Sequence, residues 1–392
     1  MTIYELSNIL SNGGLDELFL RIYRKSDLER LRQRARYLNA AENFSKNYPN
    51  REDIHIFSSS ANVRIGGNHV AKHGGSELSA SVSTDIIAIV GYHDEAIIRL
   101  KMDKSEIIEI DLSDPTDIDS ENEIMEIIRK NIESLVENEK NCYGFDAYIS
   151  SDIPEKNIFS SSEILNNLFE KIISGNVKNS LNETDNSETG GIFEIDMKNR
   201  HKPVLHKINF DFSDSGYSLC IVDCGGEFYH ESESDIDMQS VADAMEIDYL
   251  GQSDDDEFYD KLPIIRKKCT KRAIVSAICF FEENRLIRQQ RDALNNGRLN
   301  EFFTYISESA DSCALFHALY GADDCELSVR FYACKRVLNG SGAVRIDENG
   351  RIQAFVPNYM VNGFTDEIDR IFGQGSVYTI GIRNDGVIRI FG

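Results

Sequence analysis

Apolar residues change their period repeatedly along this chain, from helical spacing to alternation and back, and each change narrows what the segment can become. In the first fifty residues Leu15, Leu18, Phe19, Ile22 and Tyr23 share one helical face, and Leu28, Leu31, Ala35 and Leu38 recur at helical spacing in the next turns. From Asp53 the pattern becomes Ile-rich strands over 54–57, 85–90, 96–100 and 106–110, separated by short polar turns, which predicts a β-meander. Helical spacing returns over 121–138, where Ile124, Ile127, Ile128, Ile132, Leu135 and Val136 form a stripe. A strand is expected over 143–150, and a second stripe follows at Ile164, Leu165, Leu168, Phe169, Ile172 and Ile173.

Residues 175–188 are polar, rich in Asn and Ser and without apolar period, so they read as a linker. Beyond them come strands over 191–197, 204–212 and 217–223, helices from about 235 to 338, and closing hairpins. At 392 residues the chain exceeds what one core fills, so two lobes are expected. The reading is an α/β (α+β) chain of mixed sheets and packed helices: a helical leader 1–50, an N-terminal lobe 51–185 and a C-terminal lobe 186–392.

Lys and Arg number 42 against 66 Asp and Glu, a formal charge of −24, which repels nucleic acid and anionic membrane. No run of about 20 apolar residues could cross a bilayer, and the start Met-Thr-Ile-Tyr-Glu-Leu lacks the order of a secretion signal, so a cytoplasmic location is expected. Eight cysteines stand without CxxC pairs or zinc spacing, which reads as reduced core thiols and no metal site. Residues 227–260 contain acids but no Lys or Arg, a solvated acidic face, and the basic run 266–272 is its neutralising neighbour.

The stretch 57–75 reads Phe-Ser-Ser-Ser-Ala-Asn-Val-Arg-Ile-Gly-Gly-Asn-His-Val-Ala-Lys-His-Gly-Gly. It resembles the galactokinase signature, Pro-Gly-Arg followed by Gly-Glu/Asn-His-Thr-Asp and a glycine. Residues 144–154 and Phe159-Ser-Ser-Ser resemble the strand and phosphate loop of the same family. Further colinear resemblance comes from 216–226, Phe280-Phe-Glu-Glu-Asn-Arg, 293–297, 352–357 and 372–383. The resemblance implies a two-lobed fold of the GHMP kinase type, which moves the γ-phosphate of ATP to a sugar hydroxyl.

Such transfer depends on positioning and charge neutralisation, and most of the residues that supply them in the family are changed here. The phosphate loop aligns with Lys156, Asn157, Ile158, Phe159, Ser160, Ser161, Ser162 and Glu163, without its two glycines. Ser160 to Ser162 are the nucleotide-binding candidates. Ser160 and Glu163, however, have the spacing of a capping box for the following helix, and a carboxylate there repels phosphate. The family's arginine aligns with Asn62, with Arg64 two residues on as a possible stand-in on the same face of an extended chain. Counting back from Gly190-Gly191 puts Glu183 at the catalytic aspartate, with Asp185 nearby.

Asn68 and His69 match sugar contacts, whereas Ala71 and Asp235 replace two others. The third glycine-rich motif gives way to alternating Val344, Ile346, Ile352 and Ala354, a tight hairpin around Glu-Asn-Gly. The expectation is a non-catalytic galactokinase homologue, a pseudokinase that senses galactose or a related sugar or binds a protein partner, including as a regulatory subunit. The alternative is an active sugar kinase acting through Arg64, Asp185 or Glu183, and Mg-ATP is a cofactor only in that case.

Overall fold

The computed structural model describes residues 2–23, 26–103, 105–112, 123–137, 144–154, 159–174, 190–223, 231–320, 325–347 and 350–391. The expected linker 175–188, with Glu183 and Asp185, and residues 156–158 of the phosphate-loop stretch lie outside them. The chain starts with α1 (Ile3–Ser11), α2 (Asp16–Ile22) and α3 (Asp27–Asn47). It continues through β1 (Ile54–Gly66), β2 (Ser76–His93), β3 (Ile97–Met102), β4 (Ile108–Asp111), α4 (Glu123–Glu137), β5 (Gly144–Ser151) and α5 (Ser161–Ser174). Then follow β6 (Ile192–Asp196), β7 (Val204–Ile208), β8 (Tyr217–Val222), α6 (Glu231–Met245), α7 (Asp255–Lys268), α8 (Lys271–Asn295), α9 (Leu299–Tyr320) and α10 (Cys325–Leu338). The last elements are β9 (Ala343–Ile346), β10 (Ile352–Pro357), α11 (Val361–Phe372), β11 (Val377–Ile380) and β12 (Val387–Phe391). Two compact units interleave in sequence: residues 1–62, 81–190 and 383–392 form the first, and 63–80 with 191–382 form the second.

In the first unit the leader helices form where capping and amphipathic spacing agree. Thr2 and Glu5 make a reciprocal capping box on α1, and the Ser26 hydroxyl accepts the Glu29 amide at the start of α3. Leu6, Leu10, Phe19 and Ile22 pack with Tyr37 and Phe44 against Ile54, Ile87 and Ile89 of the sheet. The expected apolar face of α3 is corrected: Leu28 and Leu31 are 79% and 52% exposed, and the buried face is Gln33, Tyr37, Ala40, Ala41 and Phe44.

The reason is Asp85, a fully buried carboxylate, which is costly unless paired. It accepts from Arg36 Nη1 at 2.6 Å, Tyr23 Oη at 2.7 Å and Ser58 Oγ at 2.6 Å. Satisfying it turns Arg36 and Tyr37 inward at the expense of Leu28 and Leu31. Burial first, and the Asp85 charge second, hold the Tyr23 hydroxyl protonated well beyond its usual range. Arg383, also buried, donates to Ser58 Oγ at 3.1 Å and stands 3.6 Å from Asp85 Oδ2, and its backbone amide donates to the Ser81 carbonyl.

The strands of this unit lie in the order β12-β1-β2-β5-β3-β4. The expected meander is therefore interrupted, because β5 enters between β2 and β3, antiparallel to the first and parallel to the second. Residues 144–150 of β5 are buried without a break, a pattern that requires a central place in the sheet. The α4 crossover supplies the return that parallel pairing needs. Helix α5 is tied to β1 by the Ser59 hydroxyl, which donates to the Ile164 carbonyl at 2.9 Å.

In the second unit β11-β8-β10-β9 form an antiparallel sheet whose core includes Cys220, Val222, Phe331, Ile352, Val356 and Phe364. The hairpin expected at β9 and β10 forms, with Ile346 opposite Ile352 and Val344 opposite Ala354. Val241, Phe258, Phe280, Phe281 and Phe316 make a second cluster among α6 to α9. Of the basic run, Arg272 pairs with the acidic stretch, at 2.8 Å from Glu233 and 2.5 Å from Asp237. Asp237 itself is buried, not solvated, and also accepts from Tyr320 Oη. Among the described residues the cysteines form no disulfide, and Cys220, Cys279, Cys313 and Cys334 are buried as expected of core thiols. Among the described residues no helix is long and apolar enough to cross a membrane.

Candidate functional site

The Gly-Gly-Asn-His segment follows directly on β1 in the second unit. Gly67 has φ +87°, and a Cβ there would lie 2.6 Å from the Ser76 carbonyl oxygen, so only glycine lets the chain turn this closely. His69 also sits in the left-handed region at φ +59°. Between them Asn68 is turned inward and is 2% exposed.

Its amide is heavily engaged. Asn68 Nδ2 donates to the Ile346 carbonyl at 2.7 Å and to Cys313 Sγ at 3.0 Å. Arg345 Nη2 donates to Asn68 Oδ1 at 2.5 Å. Arg345 comes from β9, is fully buried, and also donates through Nη1 to the Arg64 carbonyl and to Gln353 Oε1. Gln353 Nε2 reaches the same Arg64 carbonyl at 2.9 Å.

Glu283 of α8 completes the cluster. It is 2% exposed and accepts from Ser309 Oγ at 2.9 Å and from the Asn68 backbone amide. Burial pushes its carboxyl up to about 7, and the Arg345 charge only partly offsets this. Burial also lowers the Arg345 guanidinium from its ordinary value despite the Glu283 charge. Both partners thus shift toward their neutral forms, so desolvation outweighs attraction here. Burial pushes the Cys279 thiol up to about 11 and the Cys313 thiol further still, which leaves both as inert thiols. A cavity of about 10 Å³, room for one water, is lined by Asn68, His69, Cys279, Glu283, Cys313 and Phe316. The His69 ring stacks on Phe316 at 4.2 Å.

The other sequence candidates have different surroundings. Asn62 belongs to the first unit, half-buried, with Oδ1 accepting from Ser81 Oγ at 2.9 Å. Arg64 belongs to the second unit and pairs with Glu77 at 2.8 Å. Asp235 meets His73 Nε2 at 3.2 Å and Lys72 Nζ at 3.4 Å. Ala71 opens the short 3-10 turn Ala71–His73.

Ser160 and Ser161 are exposed and Ser162 half-buried at the start of α5 in the first unit. The Ser160 hydroxyl accepts the Glu163 amide at 3.4 Å, the N-cap half of the expected box. The exposed Glu163 carboxylate stands in the first turn. A helix end that is capped by its own serine and carries a carboxylate does not fit a triphosphate. No step through Mg-ATP follows from it.

Sequence reasoning missed Arg345, Gln353 and Glu283 as members of the cluster. In Val344-Arg345-Ile346 a strand alternation places the arginine on an outward face, yet every residue of β9 is buried. Glu283 lies inside the Phe280-Phe-Glu-Glu-Asn-Arg block, the signal that could have marked it.

Among solved structures the chain is similar to the galactokinase of Lactococcus lactis, determined with galactose, at 17% identity and TM-score 0.67, over 89% of this chain and 98% of that one. It is similar to a mevalonate kinase at 13% identity and TM-score 0.55, over 84% and 99% of the two chains. The mevalonate kinase of Methanococcus jannaschii gives 15% identity and TM-score 0.53, over 84% and 98%. No family model matches the sequence, and no curated protein does.

Proposed function

From the GHMP kinase fold that the chain shares with these enzymes, we propose that it is a non-catalytic relative of the sugar kinases that works by binding. The carrying observation is the bond from Arg345 to Asn68. The residue at a family sugar contact has both amide hydrogens and its oxygen committed to buried partners of its own chain. A sugar hydroxyl that accepted from this amide's N–H groups would strand the Ile346 carbonyl or Cys313, at a cost of about 1–3 kcal/mol. The self-capped end of α5 and Asn62 in place of an arginine support the same reading from the phosphate side.

His69, whose ring stacks on Phe316, is the other residue that the resemblance aligns with a sugar contact. The test is a coupled ADP-release assay on the full chain with galactose and Mg-ATP, paired with galactose calorimetry. Neither turnover nor heat is expected if the chain is a scaffold for a protein partner. Heat without turnover, weakened by His69→Ala, marks a sugar sensor. Turnover near about 1 s⁻¹, the low end for kinases, overturns the non-catalytic reading in favour of a base in the 183–185 stretch.

A further inference from the structure

The hairpin of β6 and β7 departs from the charge of the rest of the chain. Residues 198–207 read Lys-Asn-Arg-His-Lys-Pro-Val-Leu-His-Lys, without an acid, in a protein of net charge −24. All ten are exposed, and among the described residues no carboxylate pairs with Lys198, Arg200, Lys202 or Lys207. The hairpin is also firmly held. β6 pairs antiparallel with Ser76 to Ala80 of β2 on one side and with β7 on the other. At the turn Tyr249 Oη donates to the Lys198 carbonyl at 2.8 Å, and the Arg200 guanidinium lies 5.1 Å over the Tyr249 ring.

Strand β7 has β6 as its only partner strand among the described residues, so its outer edge presents unpaired backbone groups. Val204 and Leu205 on that edge are each 47% exposed. A lysine and a proline suffice to blunt such an edge. Four cations and two histidines with no acid among residues 198–207 exceed that need, and they flank an apolar edge.

We propose that β7 is a docking edge for an acidic, extended segment of a partner protein, which adds as a further strand. Backbone pairing supplies affinity, Val204 and Leu205 supply an apolar contact on each face, and the surrounding cations select Asp and Glu. Charge makes the choice local. The body of the chain repels an acidic partner, and with screening over about 8 Å at physiological salt the hairpin is where such a segment is attracted. The proposal stands on the hairpin alone and holds whether or not the chain transfers phosphate.

The test uses the full chain and a labelled peptide of about eight residues alternating Glu with Val, long enough to span β7. Binding that weakens with salt is expected, at least about tenfold weaker for the double variant Lys202→Glu/Lys207→Glu, with melting temperature unchanged. A peptide of the same sequence with alternate backbone nitrogens methylated keeps its charge but loses its donors, and it is expected not to bind. Equal binding of the methylated peptide shows charge without strand addition and overturns the proposal. So does no binding of the parent peptide at about 100 μM, a level that a docking strand should reach. A thymidine oligonucleotide that binds as tightly assigns the patch to polyanions, and a dimer dispersed by the double variant assigns it to a second copy; either result overturns it.

Discussion

Arg345 and Asn68 stand 277 positions apart in sequence, and the guanidinium of one donates to the amide oxygen of the other at 2.5 Å inside the second unit. The β9–β10 hairpin therefore places a cation in the core, where Asn68 accepts from it. Stability, and not catalysis, is what substitutions at this pair should change first.

Arg345→Met removes the charge that faces Glu283 and leaves Asn68 Oδ1 and the Arg64 carbonyl with fewer donors. A loss of about 3–5 kcal/mol is expected, the usual result of removing one member of a buried charged pair, measured by urea unfolding. Arg345→Lys should recover little of it, because an ammonium cannot span Asn68, Gln353 and the Arg64 carbonyl as the planar fork does.

Glu283 makes stability depend on pH in a direction opposite to most carboxylates. Its folded value, about 7, lies above its ordinary 4.5, so the fold binds this proton more tightly than the unfolded chain does. The contribution is complete below about 4.5 and is lost as pH rises toward about 7, for a total of about 3 kcal/mol. Glu283→Gln should flatten this part of the profile and be more stable than the parent at pH 8, while it loses that advantage at pH 5. Denaturant midpoints across this range check the sign.

Asp85→Ala leaves the half-buried Arg36 with only Asp152, 4.0 Å away, as a carboxylate partner and removes the acceptor of Tyr23 and Ser58. A cost of about 3–5 kcal/mol is expected. Because those donors sit on the leader helices and β1, the visible sign should be earlier proteolytic cleavage within residues 2–50. Tyr23→Phe, which loses the hydrogen bonds to Asp85 and with Tyr37 but keeps the Arg36–Asp85 pair, should cost about 1–3 kcal/mol and leave the cleavage pattern close to that of the parent.

Mg-ATP at millimolar concentration should not raise the melting temperature of the full chain. A ligand at a hundred times its dissociation constant would add about 2.7 kcal/mol, easily seen by thermal shift. Ser160→Ala should lower stability by about 1 kcal/mol through loss of the α5 cap, with or without nucleotide.

How much was legible in the sequence follows from how local each cause is. Leu15, Phe19, Ile22 and Tyr23 were found on their buried face because one helix carries the whole pattern. The β9 and β10 hairpin was found because its register is set within a dozen residues. Leu28 and Leu31 misled because the face of α3 is chosen by Asp85, a residue of β2 that no helical periodicity can reveal. The place of β5 failed for the same reason: parallel pairing with β3 is decided by a crossover and by burial on both faces, whereas a meander follows from proximity alone. At the candidate site Asn68 was identified from a motif, but its saturation depends on Arg345, and nothing near Asn68 in sequence announces that partner.

The interleaving of the two units also sets an order of assembly. Arg383 and β12 belong to the first unit, yet residues 191–382 of the second precede them in the chain. At about 5–20 residues per second, synthesis delays their arrival by on the order of 10–40 s. Throughout that interval Ser58 lacks its arginine and Asp85 its second one, and β1 exposes the edge that β12 will cover. A nascent chain in this state is a natural client for chaperones that hold open sheet edges, so the yield of folded protein should depend on them more than its finished stability suggests.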